Sequence, residues 1–465
     1  MCDTPSDSGG TPCTDTADDV RQAKPSWWSA CSRPDWHSCP VRTPTPSPPH
    51  RRRGWKSSVF ALASTACGAA VIPATLVSGR FVQGVGEALA APASLGLIAV
   101  LFPDPRERIK ALGVWGGLTG LGGVSGAVIS GALTDLTSWR WIFFINLPIA
   151  LIALVMVPRL VSESKMVRAH HRLDFAGALT ATGGLVAVVD GLLQAASHPC
   201  GSWQVLLPLI AGALLLTAMV VVEGRSPALL IPLRFFNNRT RVVANFITLF
   251  NTSAFMTYVY LLTLFEQQVL GYSPLEGGLS YLPLGFGIGA GIGLGTALMP
   301  RTGVKPLLSV GFLGGAVGLL LTGGVHVGSS YVGGVLPGMI LLALSSGLTF
   351  PAITNAALHQ VTSQDSGLGS GIQSAMQAVG GALGLACLVT LALRHSLGEM
   401  RNGVATDVAA THGCVLGFRV GAALLLGVVM ARRRKRTYSA GEASRRRRPT
   451  YGHQWLDSAR RIYGS

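Results

Sequence analysis

Apolar runs of about 20 residues recur along this chain, separated by short polar loops, and that pattern dictates what it can fold into. A helix rises about 1.5 Å per residue, so about 20 residues cross the ~30 Å hydrocarbon layer of a bilayer. Only 12% of the 465 residues are charged and 49% are hydrophobic, and the mean hydropathy is +0.45. A globular protein carries about 25% charged residues, and a water-soluble fold has no interior that could hide so much apolar chain. The short alternating strands of a membrane β-barrel are not present in the pattern. The expected fold is therefore an all-α polytopic membrane protein.

About twelve spans can be drawn, near 55–77, 81–102, 110–133, 141–158, 174–195, 204–222, 242–265, 277–299, 305–325, 331–353, 368–393 and 413–431. The formal net charge is +16, and the basic residues sit in clusters between the spans. With a cytoplasmic N-terminus, the inside loops hold most of them, including Arg106, Arg108, Lys110, Arg159, Lys165, Arg168, Arg225, Arg234, Arg301 and Lys305. The outside loops hold only Arg80, Arg140, Arg394 and Arg401. Positive loops stay inside, so both termini are expected in the cytoplasm and the protein in the cell membrane. The domain plan that follows is a disordered or aberrant polar head over 1–54, an N-terminal helix group over 55–160 and two linker helices within 161–240. A six-helix bundle over 241–431 and a basic cytoplasmic tail over 432–465 complete it.

The stretch from Arg80 to Pro148 is the most informative. Its middle span carries glycines at 113, 116, 117, 120, 122, 123, 126 and 131. Such glycines let helix backbones touch and slide, which suits a membrane protein that moves.

Enzyme chemistry finds little support. No GxxxxGK[ST] phosphate loop occurs, and SQDSGLGSG lies between spans with no preceding strand. The eight cysteines have no CxxC or Cys/His spacing, so free thiols and no metal site are expected. His170 and His171 lie in a loop without matched ligands, and the spans hold no Ser/His, His-Glu-x-x-His or paired-Asp constellation. No cofactor and no enzymatic activity are expected. The basic tail reads as a solvated segment beside anionic headgroups and calls for no nucleic-acid partner.

Several blocks resemble one family. RFVQGVGEALAAPASL is similar to the fourth helix of the major facilitator superfamily in its fourteen-spanner drug:proton antiporter branch. FPDPRERIKALGVWG resembles the loop and helix that follow, and SWRWIFFINLPIAL the start of the sixth helix. RLDFAGAL, LGYSPLEGGLSYLPLGFGIG, MPRTGVKPLL, LPGMILLALSSGLTFPAITNAAL and SGLGSGIQSAMQAVGGALGLA continue the likeness in order. The resemblance implies two six-helix halves around a central cavity, with two extra helices between them. Aligned from Arg80, the span 55–77 takes the place of the family's third helix. About twelve of fourteen helices are then present, and the acid of the first is missing. The antiporter motif of the fifth helix, G-P-x-x-G-G, maps near Gly122 and onto Gly126, Ala127, Val128, Ile129, Ser130 and Gly131. Ala127 and Ser130 replace a proline and a glycine, which removes the kink a proline imposes.

Within this frame Arg80 is a membrane-edge arginine with a role in proton coupling, or else an interface anchor. Glu87 lies two helical turns on, on the same face. An acid at that depth is costly to ionise in lipid, so it is the sharpest proton-carrier candidate; the other reading is a packed, hydrogen-bonded acid. Asp190 is the second in-span acid, in a linker helix. Glu266 sits at the outer edge of its span and reads as a rim residue rather than a buried carrier. Trp115, Asn245, Asn251, Phe255, Tyr258, Gln373 and Gln377 are the candidate cavity residues. Span-borne amides also bridge helices, so both readings stand for the Asn and Gln residues. The leading expectation is a monomeric transporter that exports amphipathic small molecules against inward proton flow. An uptake symporter on the same fold is the first alternative, and a sensor-like or inactive remnant the second.

Overall fold

The computed structural model describes residues 55–102, 104–160, 175–225, 238–361 and 365–446, and every regular element among them is helical. The expected polar head, the loop histidines at 170 and 171 and the last nineteen residues lie outside the described residues. In chain order the helices are α1 (Trp55–Gly68), α2 (Pro73–Leu101), α3 (Pro105–Leu136), α4 (Trp141–Phe144), α5 (Asn146–Leu160), α6 (Phe175–Gln194) and α7 (Trp203–Arg225). Then come α8 (Arg239–Gln268), α9 (Pro274–Ser280), α10 (Leu282–Thr302), α11 (Val304–Thr322), α12 (Leu336–Ala357), α13 (Ser366–Gly384), α14 (Thr390–Arg401) and α15 (Thr406–Arg446). Five-residue π-helical segments precede α12 at Tyr331–Val335 and join α13 to α14 at Leu385–Val389. Among the described residues, nine helices or helix runs are long and apolar enough to cross a membrane, and Val59–Gly68 and Trp141–Met156 are shorter apolar helices.

Local chemistry sets the helix limits. Pro73 opens α2 at a position where its missing N–H costs nothing. The second span therefore begins eight residues earlier than the sequence reading placed it, and Arg80 lies inside the helix rather than at its edge. Asn238 caps α8 by accepting from the Thr240 and Arg241 amides at 3.1 and 3.3 Å. Ser273 and Glu276 form a reciprocal capping box at the start of α9. At the far end α15 continues through Arg446. The first part of the basic tail is thus an extension of the last span.

Helices α8, α10, α11, α12, α14 and α15 share one core built on Tyr258, Leu262, Phe265, Phe312, Met339 and Phe418. A close seam joins α10 to α12, where a Cβ on Gly291 would sit 3.0 Å from the Gly347 Cα. Helices α6 and α7 pair with each other. Their connecting turn is tied to α14: Thr390 donates to the Leu192 carbonyl at 2.9 Å, and Arg394 donates to the Ala195 carbonyl, to the His198 carbonyl at 2.5 Å and to Cys200 Sγ at 2.8 Å.

The chain before residue 160 meets the later helices along two seams, α2 with α13 and α3 with α9, α10 and α12. One stripe of α3 makes the second seam. Gly113 faces Thr296, Gly116 faces Phe350, Gly120 faces Ile288, Val124 faces Gly285, Ala127 faces Gly278 and Gly131 faces Pro274. These steps of three and four residues trace one helical face. Gly117, Gly122, Gly123 and Gly126 lie off it, and a side chain there would meet nothing within 4 Å. Of the α3 glycines read as allowing close approach, only those on one face meet a neighbour among the described residues.

Candidate functional site

Two acids, Glu87 and Asp190, and one arginine, Arg80, were expected to take part in proton coupling, and the structure separates them. Helix α2 starts at Pro73, so Arg80 lies about 10 Å and Glu87 about 21 Å along it. Arg80 is exposed. It donates to Gln83 Oε1 at 3.2 Å, and its guanidinium carbon lies 5.0 Å from the Phe143 ring centre. Buried Gln83 in turn donates to Ser64 Oγ on α1 at 2.9 Å. Arg80 is thus the open end of a short polar relay, Arg80–Gln83–Ser64, and Gln83 is a member the sequence reading passed over. Glu87 is exposed on α2. Of its two readings, the packed, hydrogen-bonded acid finds no covering side here, since the described helices leave Glu87 open. Asp190 is also exposed, on α6.

The seven candidate cavity residues sit in different surroundings. Trp115 stacks on Phe350 of α12, with centroids 5.8 Å apart, and its indole N–H donates to Ser94 Oγ at 3.2 Å. Asn245 is buried and donates back to the Arg241 carbonyl at 2.9 Å. Gln373 is fully buried and donates to Thr354 Oγ1 at 3.1 Å, which joins α13 to α12; Gln377, one turn on, is half-buried. Tyr258 is fully buried with its ring 5.5 Å from that of Phe418. Asn251 and Phe255 share a crevice of only about 10 Å³ with Ser345, Ser346 and Thr349. Of the four amides, Gln373 bridges two helices and Asn245 bonds within its own. In the motif region, Ser130 donates to the Ala127 carbonyl at 3.0 Å, Ala127 and Gly131 lie on the contact stripe, and Gly122 and Gly126 lie off it.

Glu266 is where the sequence reading erred most. It was expected at a rim, and it is fully buried. Its side chain turns toward α9, where a Cβ on Gly277 would lie 4.0 Å from Oε2. Neither oxygen has a well-formed hydrogen bond among the described residues, although the Ser280 hydroxyl, which donates to the Gly277 carbonyl at 2.7 Å, is beside it. Tyr331 donates to the Ser280 carbonyl at 2.6 Å and Tyr281 to the Val259 carbonyl at 2.8 Å. An ionised carboxylate in such a place must be met by a cation or a proton. Periodicity could have found it. Glu266 follows Leu262 by four residues and Tyr258 by eight, which puts it on the buried face of α8.

At one end of the α3–α12 seam, Arg108 donates to Asn355 Oδ1 at 3.4 Å. Asn238 donates to Gln360 Oε1 at 2.8 Å nearby in the chain.

A membrane bundle with a small-residue seam and a buried acid points to function within the spans. The sequence model of the Major Facilitator Superfamily matches residues 50–385. The chain belongs to the major facilitator superfamily. It is similar to the puromycin resistance protein of Streptomyces alboniger, with 36% identity over 80% of this chain and 74% of that one. It is also similar to the lincomycin resistance protein of Streptomyces lincolnensis, with 37% identity over 73% and 70%. The cephamycin export protein of Amycolatopsis lactamdurans shares 32% identity over 77% and 73%. Among solved structures, the proton:xylose symporter XylE with bound 6-bromo-6-deoxy-D-glucose aligns over 81% of this chain and 78% of its own. The TM-score is 0.50 at 16% identity, so this likeness speaks for the fold alone. The protein is therefore a multi-pass major facilitator transporter acting on small molecules in a membrane.

Proposed function

We propose that this transporter exports amphipathic small molecules, drugs or antibiotics among them, from the cytoplasm in exchange for inward protons. What carries the reading is the kinship with three proteins named for antibiotic resistance or export, each matched over at least 70% of its own length. The polar chemistry adds the coupling. Glu266 is a buried acid with no cation salt-bridged to it among the described residues, so its charge can be met by either a proton or a cationic substrate, and the two compete. Arg80, Glu87 and Asp190 are secondary coupling positions. In a fourteen-span plan, the exposed flank of α2 that carries Arg80 and Glu87 is the surface two further helices would cover. Trp115, Asn251, Phe255 and Gln377 are the cavity candidates left with partial exposure; in an opened state they would line the path. Moving one charge across the membrane potential supplies about 2.3 kcal/mol per 100 mV.

The test is retention of a lipophilic cationic dye in cells that express the chain. Lower retention than in empty-vector cells is expected, with the difference abolished by a protonophore. A difference that survives the protonophore and vanishes on ATP depletion would overturn proton coupling. Accumulation above the empty-vector level would favour uptake instead.

A further inference from the structure

A second polar site lies away from Glu266. A cavity of about 530 Å³ opens between the turn after α11, helix α14 and the first four turns of α15. Three imidazoles and one guanidinium line it: His326, His395, His412 and Arg419. Val408, His412, Val415 and Arg419 recur every three or four residues, so they share one face of α15.

The one fixed charge among the residues lining the cavity is the Arg419 guanidinium. The carboxylate at its edge, Glu399, is already engaged: His412 Nδ1 lies 2.8 Å and His395 Nε2 3.7 Å from its two oxygens. His326 is held by Ser329, whose Oγ is 2.9 Å from Nδ1. Arg419 has no ion pair and no hydrogen bond among the described residues, and it is exposed. Its stem passes Gly323, where a Cβ would sit 3.4 Å from the Arg419 Cγ. The glycine makes the room that lets the arginine lie in the groove.

Depth points to the ligand. The apolar run of α15 begins near Gly413, so Arg419 lies about 9 Å inside it. An arginine at that depth reaches the headgroup layer by snorkelling. The rim is apolar and uncovered: Leu320, Leu321 and Val327 are 47%, 49% and 39% exposed. An open guanidinium, donor imidazoles and an apolar rim complement a phosphodiester that carries acyl chains. Guanidinium binds phosphate oxygens two at a time, and the rim would meet the chains.

We propose that this groove is a binding site for the headgroup of an anionic phospholipid, with Arg419 as the main phosphate ligand and His326, His395 and His412 around it. By the charge pattern of the loops the site belongs to the outer leaflet. The proposal does not depend on the direction or the coupling of transport.

The full-length protein, purified in detergent, is titrated with phosphatidylglycerol, and bound lipid is counted by native mass spectrometry. Saturable binding is expected, with Arg419→Gln weakening it about tenfold and Arg419→Lys less, because a lysine keeps the charge and loses the fork. Gly323→Leu keeps every charged group and fills the groove, so it should weaken binding to a similar degree. This second variant reads the site even if Arg419→Gln fails to fold. Equal retention by wild type, Arg419→Gln and Gly323→Leu would overturn the proposal. So would full competition by inorganic phosphate at equal concentration, which would make the groove a soluble-anion site. Phosphatidylcholine binding as tightly as phosphatidylglycerol would overturn the anionic preference.

Discussion

The helices before residue 160 and those after residue 238 solve the same problem differently. In α3 only 22% of the most apolar stretch is buried, whereas in α15 the share is 50% and in α8, α11 and α12 it is 44%. The later helices close on one another around a common core. The earlier ones touch the molecule along single stripes and leave their other faces open. Lipid is as apolar as leucine, so an uncovered apolar face costs little in a bilayer; an uncovered charge costs much more. The difference therefore matters at Arg80 and Glu87, which sit on open faces, and at Glu266, which sits in the closed region.

The largest expected effect tests which region couples protons. Glu266→Gln keeps the shape and removes the titrating group. It should bring dye retention to the empty-vector level while leaving the protein in the membrane at normal abundance. Glu87→Gln should reduce export by less, because its exposed site imposes no protein desolvation. If Glu87→Gln abolishes proton-driven export and Glu266→Gln leaves it intact, coupling belongs to α2 and the contrast drawn here fails.

A smaller effect should separate the two kinds of glycine. Gly347→Leu forces a side chain into the α10–α12 seam against Gly291 and Ile288, and overpacking of this kind costs about 3 kcal/mol. Gly122→Leu meets open space, and its cost should stay within about 0.5 kcal/mol. Thermal unfolding in detergent compares the two. Equal losses would mean that the open face of α3 is covered in the working protein, which would itself favour further helices there.

The smallest effect concerns the α6–α7 pair. Arg394 holds the turn between them through three acceptors. Arg394→Ala should lower stability by about 2 kcal/mol, the scale of charge-assisted hydrogen bonds lost at a partly exposed site. The unfolding curve should also broaden, as α6 and α7 melt ahead of the bundle. A single sharp transition at the wild-type midpoint would show that the pair is held by lipid rather than by α14.

Much of the molecule was readable from composition and periodicity alone. Apolar runs of bilayer length require helices, because a backbone in lipid can satisfy its own hydrogen bonds only as a helix or a closed barrel. The colinear blocks from RFVQGVGEALAAPASL onward pointed to the family, and the model match over residues 50–385 agrees with them. What the chain alone left open was which face of each helix meets which neighbour. Asn245 and Gln373 looked like cavity amides, yet each is bound within or between helices. Glu87 looked buried because its helix is apolar, and Glu266 looked peripheral because it is near a helix end. Hydropathy along a span measures its fit to lipid and says nothing about the neighbour behind each residue. Burial of a single side chain depends on contacts between separate helices, such as α8 against α9 at Glu266 and α8 against α15 at Tyr258. Those contacts exist only once the helices have packed, and there the tertiary structure alone decided.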